Sequence, residues 1–214
     1  MRRARLTTAK TILPTMSTAL LKVQTAQFNV LVYNDAGSGA KQDLSTWKPA
    51  LDEGWYYLGP TANNGNAQGR PGIIIQPAGK ERVTAPIVDW EQVWNDGGSG
   101  KSSDYALWRG LVAPEDRDNF VVLGGFFTRS HAKPTVDDSM NMRAVRKDIV
   151  IQVAAGSEIW TDRGTGARED GAIWGISTDG FFQAVGTGAF VPVLGYDKAP
   201  TEVYALNKDK LTAA

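Results

Sequence analysis

The sequence predicts an all-β chain organised as a β-prism, three Greek-key antiparallel sheets packed around an internal pseudo-threefold axis. Three observations carry that expectation. The pattern D-x-G-[S/T]-G-x3-D-x3-W occurs three times without a gap. Each copy is flanked by short aromatic and β-branched runs that read as strands. Cys is absent, so neither disulfides nor thiolate metal sites stand in for a shared hydrophobic core.

The first copy is Asp35, Gly37, Ser38, Gly39, Asp43 and Trp47; the second is Asp96, Gly98, Ser99, Gly100, Asp104 and Trp108. The third is Asp162, Gly164, Thr165, Gly166, Asp170 and Trp174. Successive copies start 61 and 66 residues apart. Two residues before each first Asp stands an aromatic (Tyr33, Trp94 or Trp160), itself preceded by Val32, Val93 or Ile159. Downstream, Trp55–Gly59, Phe120–Gly124 and Phe182–Gly186 are strand-like runs closed by glycine. A third strand-like segment ends each unit, around Ile73–Gln76, Arg143–Val153 and Val203–Leu206. Strands this few cannot bury both faces alone, so the three units share one core. Three antiparallel units about one axis make a β-prism or a β-trefoil. Units of more than sixty residues, with a Gly-rich turn between an aromatic-ended strand and a Trp, favour the prism. The reading is a single domain over residues 28–214, in repeats of approximately 28–88, 89–154 and 155–214, preceded by a basic arm over residues 1–27.

Charge sets the arm apart. Before Asp35 there is no acidic residue, whereas Arg2, Arg3, Arg5, Lys10 and Lys22 are basic. The arm is rich in Thr and Ala and broken by Pro14, the composition of a transit peptide, and too polar for a secretory signal. It reads either as an arm, with a short helix around Ser17–Val23, that docks on a neighbour or on its own domain, or as a loosely ordered solvated tail. Over the whole chain, 23 basic and 23 acidic side chains cancel, so no bulk field draws nucleic acid. No apolar run reaches the roughly 18 residues a membrane-spanning helix needs. The composition is compatible with a reducing cytosol and equally with export that cleaves no signal.

These residues resemble a known family. Tyr33-Asn-Asp-Ala-Gly-Ser-Gly-Ala-Lys-Gln-Asp-Leu-Ser-Thr-Trp47-Lys-Pro and Gly54-Trp-Tyr-Tyr-Leu-Gly59 look like the vacuolar protein sorting-associated protein 62 family of fungi and plants. Arg143-Ala-Val-Arg-Lys-Asp-Ile-Val150 and Ile159-Trp-Thr-Asp-Arg-Gly-Thr-Gly166 are similar to recurring segments of the same family. The resemblance spans residues 28–214. A more distant similarity to multivesicular-body-associated β-prism domains implies the prism fold and membrane contact.

Two readings of the repeated loops stand side by side. In the first, Gly-[Ser/Thr]-Gly makes a tight turn and Asp35, Asp96 and Asp162 cap backbone N–H groups. In the second, each loop cradles a sugar, the carboxylate accepting from adjacent hydroxyls while Gly lets the ring approach. The candidate ligand-binding residues are Asp35, Gly37, Gly39, Asp43, Asp96, Gly98, Gly100, Asp104, Asp162, Gly164, Gly166 and Asp170. Here a partial resemblance enters: Gly39-x3-Asp43, Gly100-x3-Asp104 and Gly166-x3-Asp170 look like the G-x3-D element of mannose-binding jacalin-related lectins, which are β-prisms. It implies up to three weak sugar sites acting together. Trp47, Trp108 and Trp174 read as a ring of indoles filling the core at the axis, with sugar stacking as the alternative. Tyr33, Trp94 and Trp160 also read as core. Calcium could draw on Asp35, Ser38 and Asp43, but two carboxylates per loop fall short of the roughly 6–8 oxygens it takes.

Other matches are set aside. Asn95–Ser102 ends like a Walker A loop but lacks the leading Gly, and Ser99 lies in no G-x-S-x-G elbow. The single histidine, His131, reads as a solvated loop residue, and the pairs Asp137-Asp138 and Glu169-Asp170 have no partner constellation. The sequence points to a non-enzymatic, lectin-like module binding glycans at three equivalent loops, with no cofactor. Binding to anionic membrane surfaces through the arm is an alternative. So is an assembly subunit or homo-oligomer built through residues 1–27.

Overall fold

The computed structural model describes residues 19–65, 68–196 and 198–214, in which strands are joined by turns and irregular segments and the helices are three single 3₁₀ turns. The chain makes six short strands, then six more, then six again. The first stretch holds β1 (Leu21–Gln27), β2 (Val30–Asn34), β3 (Leu44–Lys48), β4 (Tyr56–Tyr57), β5 (Thr61–Asn64) and β6 (Pro71–Pro77). The second holds β7 (Thr84–Pro86), β8 (Asp89–Asn95), β9 (Ala106–Leu111), β10 (Phe120–Val121), β11 (Gly125–Thr128) and β12 (Arg143–Arg146). The third holds β13 (Val150–Val153), β14 (Ala155–Thr161), β15 (Gly171–Ile176), β16 (Ala184–Val185), β17 (Val191–Leu194) and β18 (Val203–Asn207), and β19 (Leu211–Ala213) ends the chain.

The same pairing scheme occurs in all three stretches. The second, third and fifth strands form one antiparallel sheet (β2-β3-β5, β8-β9-β11, β14-β15-β17). The first, sixth and fourth form another (β1-β6-β4, β7-β12-β10, β13-β18-β16). β19 adds to the free edge of β1 as a parallel strand, with Leu21 opposite Leu211. These are several small antiparallel sheets without closure into a barrel.

The chain enters this scheme earlier than the sequence indicates. Leu21–Gln27 is a seven-residue strand paired with β6 from Leu21↔Pro77 to Gln27↔Pro71, not the end of a helix. Val23 and Thr25 are β-branched, Leu21 is fully buried, and all seven residues pair with β6, so sheet pairing rather than a helical turn fixes this segment. The expected helix over Ser17–Val23 is thus replaced by strand from Leu21; Ser17 and the rest of residues 1–18 lie outside the described residues. β7 and β13, which the expected repeat bounds put at the ends of the first and second units, instead pair within the second and third stretches, with β12 and β18.

Two hydrophobic clusters lie along the middle of the molecule. One is aromatic: Tyr33, Trp94, Trp160, Phe127 and Phe190, with Leu44, Leu107 and Ile173. Tyr33 stacks on Phe127 at 4.6 Å between centroids, while Trp94 and Phe127 meet Trp160 edge-on at 5.6 and 5.7 Å. The other is aliphatic: Leu21, Leu58, Ile75, Val83, Leu123, Val145, Ile149 and Leu206 among others. Between the stretches, backbones approach to contact: a Cβ built on Gly124 would lie 2.8 Å from Gly59 Cα and 2.9 Å from Ala189 Cβ. Two of the glycines that close the expected strand runs are therefore there because chains meet. Ala189 takes the third place at this contact, rather than the expected Gly186.

The indole ring at the centre is not the one expected. Trp108 is buried, but with Trp90, Phe126 and Met142 in a third cluster, against which the half-buried Trp47 packs; Trp174 is also only half-buried. Register gives the reason. Tyr33, Trp94 and Trp160 pair with Thr46, Leu107 and Ile173, so the next residues, Trp47, Trp108 and Trp174, point to the other sheet face. A register shift at Leu31/Tyr33, Gln92/Trp94 and Glu158/Trp160 places a bulge just before each central aromatic and aims it inward.

Candidate functional site

Each Asp-x-Gly-[Ser/Thr]-Gly segment joins two neighbouring strands of one sheet and closes in the same way. The Asp N–H donates to the carbonyl nine residues on, at 3.1 Å for Leu44, 3.1 Å for Tyr105 and 3.0 Å for Gly171. The N–H of that same residue returns to the Asp Oδ1, at 2.5, 2.9 and 2.9 Å. The Ser38, Ser99 and Thr165 hydroxyls donate to Oδ2 at 3.4, 3.2 and 3.2 Å. Gly37, Gly39, Gly98, Gly100, Gly164 and Gly166 all have positive φ, a backbone that L side chains adopt at a cost. Asp35, Asp96 and Asp162 are buried, at 1, 3 and 2% exposure. They organise the turns.

Each of these carboxylates also takes one partner from elsewhere. Trp160 Nε1 donates to Asp35 Oδ2 at 2.9 Å, across stretches. His131 Nε2 lies 2.7 Å from Asp96 Oδ1, and Tyr196 Oη donates to Asp162 Oδ1 at 2.6 Å. His131 is exposed, as expected, and is also tied to a buried carboxylate, a link between residues 35 apart in sequence that no local pattern shows. Burial pushes the Asp35 carboxyl above its ordinary range, against the Leu44 N–H and the Trp160 indole, which hold it down. Burial, then hydrogen bonds to Asp162 and Asp170, raise the Tyr196 phenol.

The three loops do not stand apart; they meet at one end of the molecule. The Lys41 N–H donates to the Arg163 carbonyl at 2.7 Å, joining the first loop to the third. Arg168 N–H donates to the Gly97 carbonyl at 2.9 Å, joining the third to the second. A Cβ on Gly39 would strike Lys101 Nζ, one on Gly98 the Arg168 side chain, and one on Gly164 the Gly39 carbonyl. So Gly39, Gly98 and Gly164, though exposed, lie against a neighbouring loop where a Cβ would collide, whereas Gly37 and Gly100 face open space. Trp94 Nε1 fastens the apex from below, donating to the Glu169 carbonyl at 2.7 Å.

The second Asp of each loop behaves differently. Asp43, Asp104 and Asp170 are exposed in all three copies. Of these, Asp104 lines a cleft of about 650 Å³ between the first and second loops. Its walls are Asn34 and Ala36 on one side and Ser102, Ser103, Asp104 and Tyr105 on the other, with Leu31 and Arg129 closing it. Most of this lining is polar, and Asp104 and Arg129 give it one charge of each sign. Oxygens of Asp96 and Asp104 and a ring nitrogen of His131 lie within 4.8 Å of one another. Asp96, however, already accepts from Tyr105 N–H and Ser99 and faces His131. Asp35 is committed in the same way to Leu44, Ser38 and Trp160, which leaves the calcium reading of the first loop without its main ligand. No described helix is long and apolar enough to cross a membrane.

Comparison with known proteins places the architecture. An all-β arrangement of small antiparallel sheets recurs in the crystal structure of GNIP1Aa from Chromobacterium piscinae, with a TM-score of 0.78 and 25% sequence identity. The match covers 91% of this chain and 38% of that one, so the chain spans little more than a third of GNIP1Aa. No protein-family profile matches the chain. No curated protein matches it either.

Proposed function

We propose that the chain is a non-enzymatic recognition module, a β-prism with a pseudo-threefold axis, that binds glycans at the loop-bearing end. The recurrence of one pairing scheme in three stretches supports the prism, and the motifs quoted above carry the resemblance to the vacuolar protein sorting-associated protein 62 family. The observation that carries the binding reading is the polar cleft between the first two loops, because it holds an exposed carboxylate that the turn does not use. Asp104 accepts from vicinal hydroxyls, Ser102 and Ser103 donate or accept, and Arg129 donates. The paired opposite charges favour a neutral polyhydroxylated ligand over a polyanion. Its volume falls within the range of about 300–1,000 Å³ typical of small-ligand sites.

Because the loops converge, this proposal has one principal cleft where the sequence offers three. Asp43 and Asp170 do not line it. The test is a glycan array probed with the wild type, Asp104→Asn and Arg129→Ala, each first shown to unfold at the wild-type temperature. Binding that drops about tenfold or more in both variants supports the proposal. Binding indifferent to both sinks the cleft. Readings that depend on residues 1–18, namely membrane attachment or assembly through the arm, concern a segment outside the described residues.

A further inference from the structure

A second opening lies along the seam between the second and third stretches. It is a groove of about 630 Å³ formed by β9 and the β10–Gly124 segment on one side and β17, Lys198–Glu202 and Tyr204 on the other. Its floor is apolar: Val112, Leu123 and Val191 are 5–8% exposed, and Val121, Val193 and Tyr204 are half-buried. Among the described residues, four cations line it, Arg109, Arg117, Lys147 and Lys198, against one carboxylate, Glu202. Arg109 is engaged by Glu91 at 3.2 Å. Arg117, Lys147 and Lys198 are exposed and have no side-chain hydrogen bond or ion pair among the described residues. Three unpaired cations thus border an apolar trough in a chain of zero formal net charge.

We propose that this groove binds a small organic anion with an apolar body, its charged group held by Arg117, Lys147 and Lys198 and its body laid on the valine floor. Charge complementarity selects the anion. Arg117 and Lys147 on the β10 side and Lys198 on the opposite wall leave positive charge along the groove that an anion offsets, and Arg117 offers a planar fork to a carboxylate or phosphate. The apolar floor selects the body, since covering it with hydrocarbon removes apolar surface from water on both partners. Volume selects size: the groove fits the range of about 300–1,000 Å³ that encloses a small ligand. The site is independent of the loop cleft and shares no lining residue with it.

Octyl phosphate, kept below its micellar concentration, is the probe, titrated calorimetrically into the whole chain beside octanol and inorganic phosphate. The expected result is saturable binding of octyl phosphate, at least about tenfold tighter than either fragment compound. The double variant Arg117→Gln/Lys147→Gln weakens it by roughly tenfold or more while keeping the wild-type unfolding temperature, because both side chains are exposed. Val193→Asp, on the floor, keeps the cations and should abolish binding of octyl phosphate but not the weak binding of inorganic phosphate. The proposal is overturned if octyl phosphate does not bind, if it binds the double variant as tightly as the wild type, or if octanol matches it. It is equally overturned if the chain binds phosphatidate vesicles through these residues but not monomeric octyl phosphate, since the occupant is then a membrane surface.

Discussion

Replacing Trp160 by Phe removes one donor from the centre of the molecule and keeps a ring there. The indole donates to Asp35 Oδ2 at 2.9 Å, and Asp35 is 1% exposed. A hydrogen bond to a charged buried group contributes about 1.5–3 kcal/mol, and the smaller ring costs about 1 kcal/mol more in packing. The expected loss at neutral pH is therefore about 2.5–4 kcal/mol, or roughly 5–15 °C in Tm for a chain of this size. Trp94→Phe is the control: its indole is equally buried but donates to the neutral Glu169 carbonyl at 2.7 Å, a bond contributing about 0.5–1.5 kcal/mol. The two variants should differ in pH dependence as well. Burial raises the folded pKa of Asp35 above the ordinary value of 3.8. The stability linked to that proton is fully present below the unfolded value and is lost as pH rises through the folded one. The Trp160 bond holds the folded pKa down, so removing it raises that pKa further and enlarges the loss on the high-pH side. Urea unfolding followed by circular dichroism at about pH 4, 5.5 and 7 gives the comparison. The Trp160→Phe deficit should grow with pH while the Trp94→Phe deficit stays level. Deficits that run parallel across pH refute the assignment of Trp160 as a donor that holds the Asp35 carboxyl down against its burial.

Two further outcomes follow from packing and charge. Gly124→Ala places a methyl 2.8 Å from Gly59 Cα and 3.0 Å from the Leu58 carbonyl, against backbone that cannot turn aside. It should cost about 1–3 kcal/mol in chemical denaturation, whereas Gly79→Ala, which meets nothing within 4 Å, should be close to neutral. Arg82 holds the Asp116 carboxyl below its ordinary range through a paired hydrogen bond. That contribution is present above the unfolded value of 3.8 and lost as pH falls through the lowered one. Arg82→Ala should therefore melt below the wild type at neutral pH and converge with it in acid.

What the sequence made legible, and what it did not, divides along physical lines. The Asp-x-Gly-[Ser/Thr]-Gly turns were readable because the bonds that close them lie within nine residues: Asp35 bonds Ser38 and Leu44, and the sister loops repeat the spacing. The all-β class followed from the same local patterns. Which aromatics face the centre was not readable from the repeat, since Tyr33 and Trp47 recur with equal regularity. Only the register and the bulge before Tyr33 decide the face. Leu21–Gln27 was assigned to an arm because its composition is continuous with the basic segment before it, yet its strand is fixed by β6, fifty residues on. The convergence of the loops through Lys41–Arg163 and Arg168–Gly97, and the capture of His131 by Asp96, are contacts between distant segments. They turn the candidate site from three copies of one motif into a composite of two loops.

The measurement that tests this composite most directly is an amide shift map of the isotope-labelled chain, titrated with the strongest glycan from the array. The account predicts perturbations centred on Asn34, Ala36 and Ser102–Tyr105, saturating with one affinity and abolished by Asp104→Asn. Equal perturbation of all three loops, with Asp43 and Asp170 moving as far as Asp104, would restore three equivalent sites and contradict a single cleft. The absence of any glycan that moves these amides would contradict glycan recognition itself.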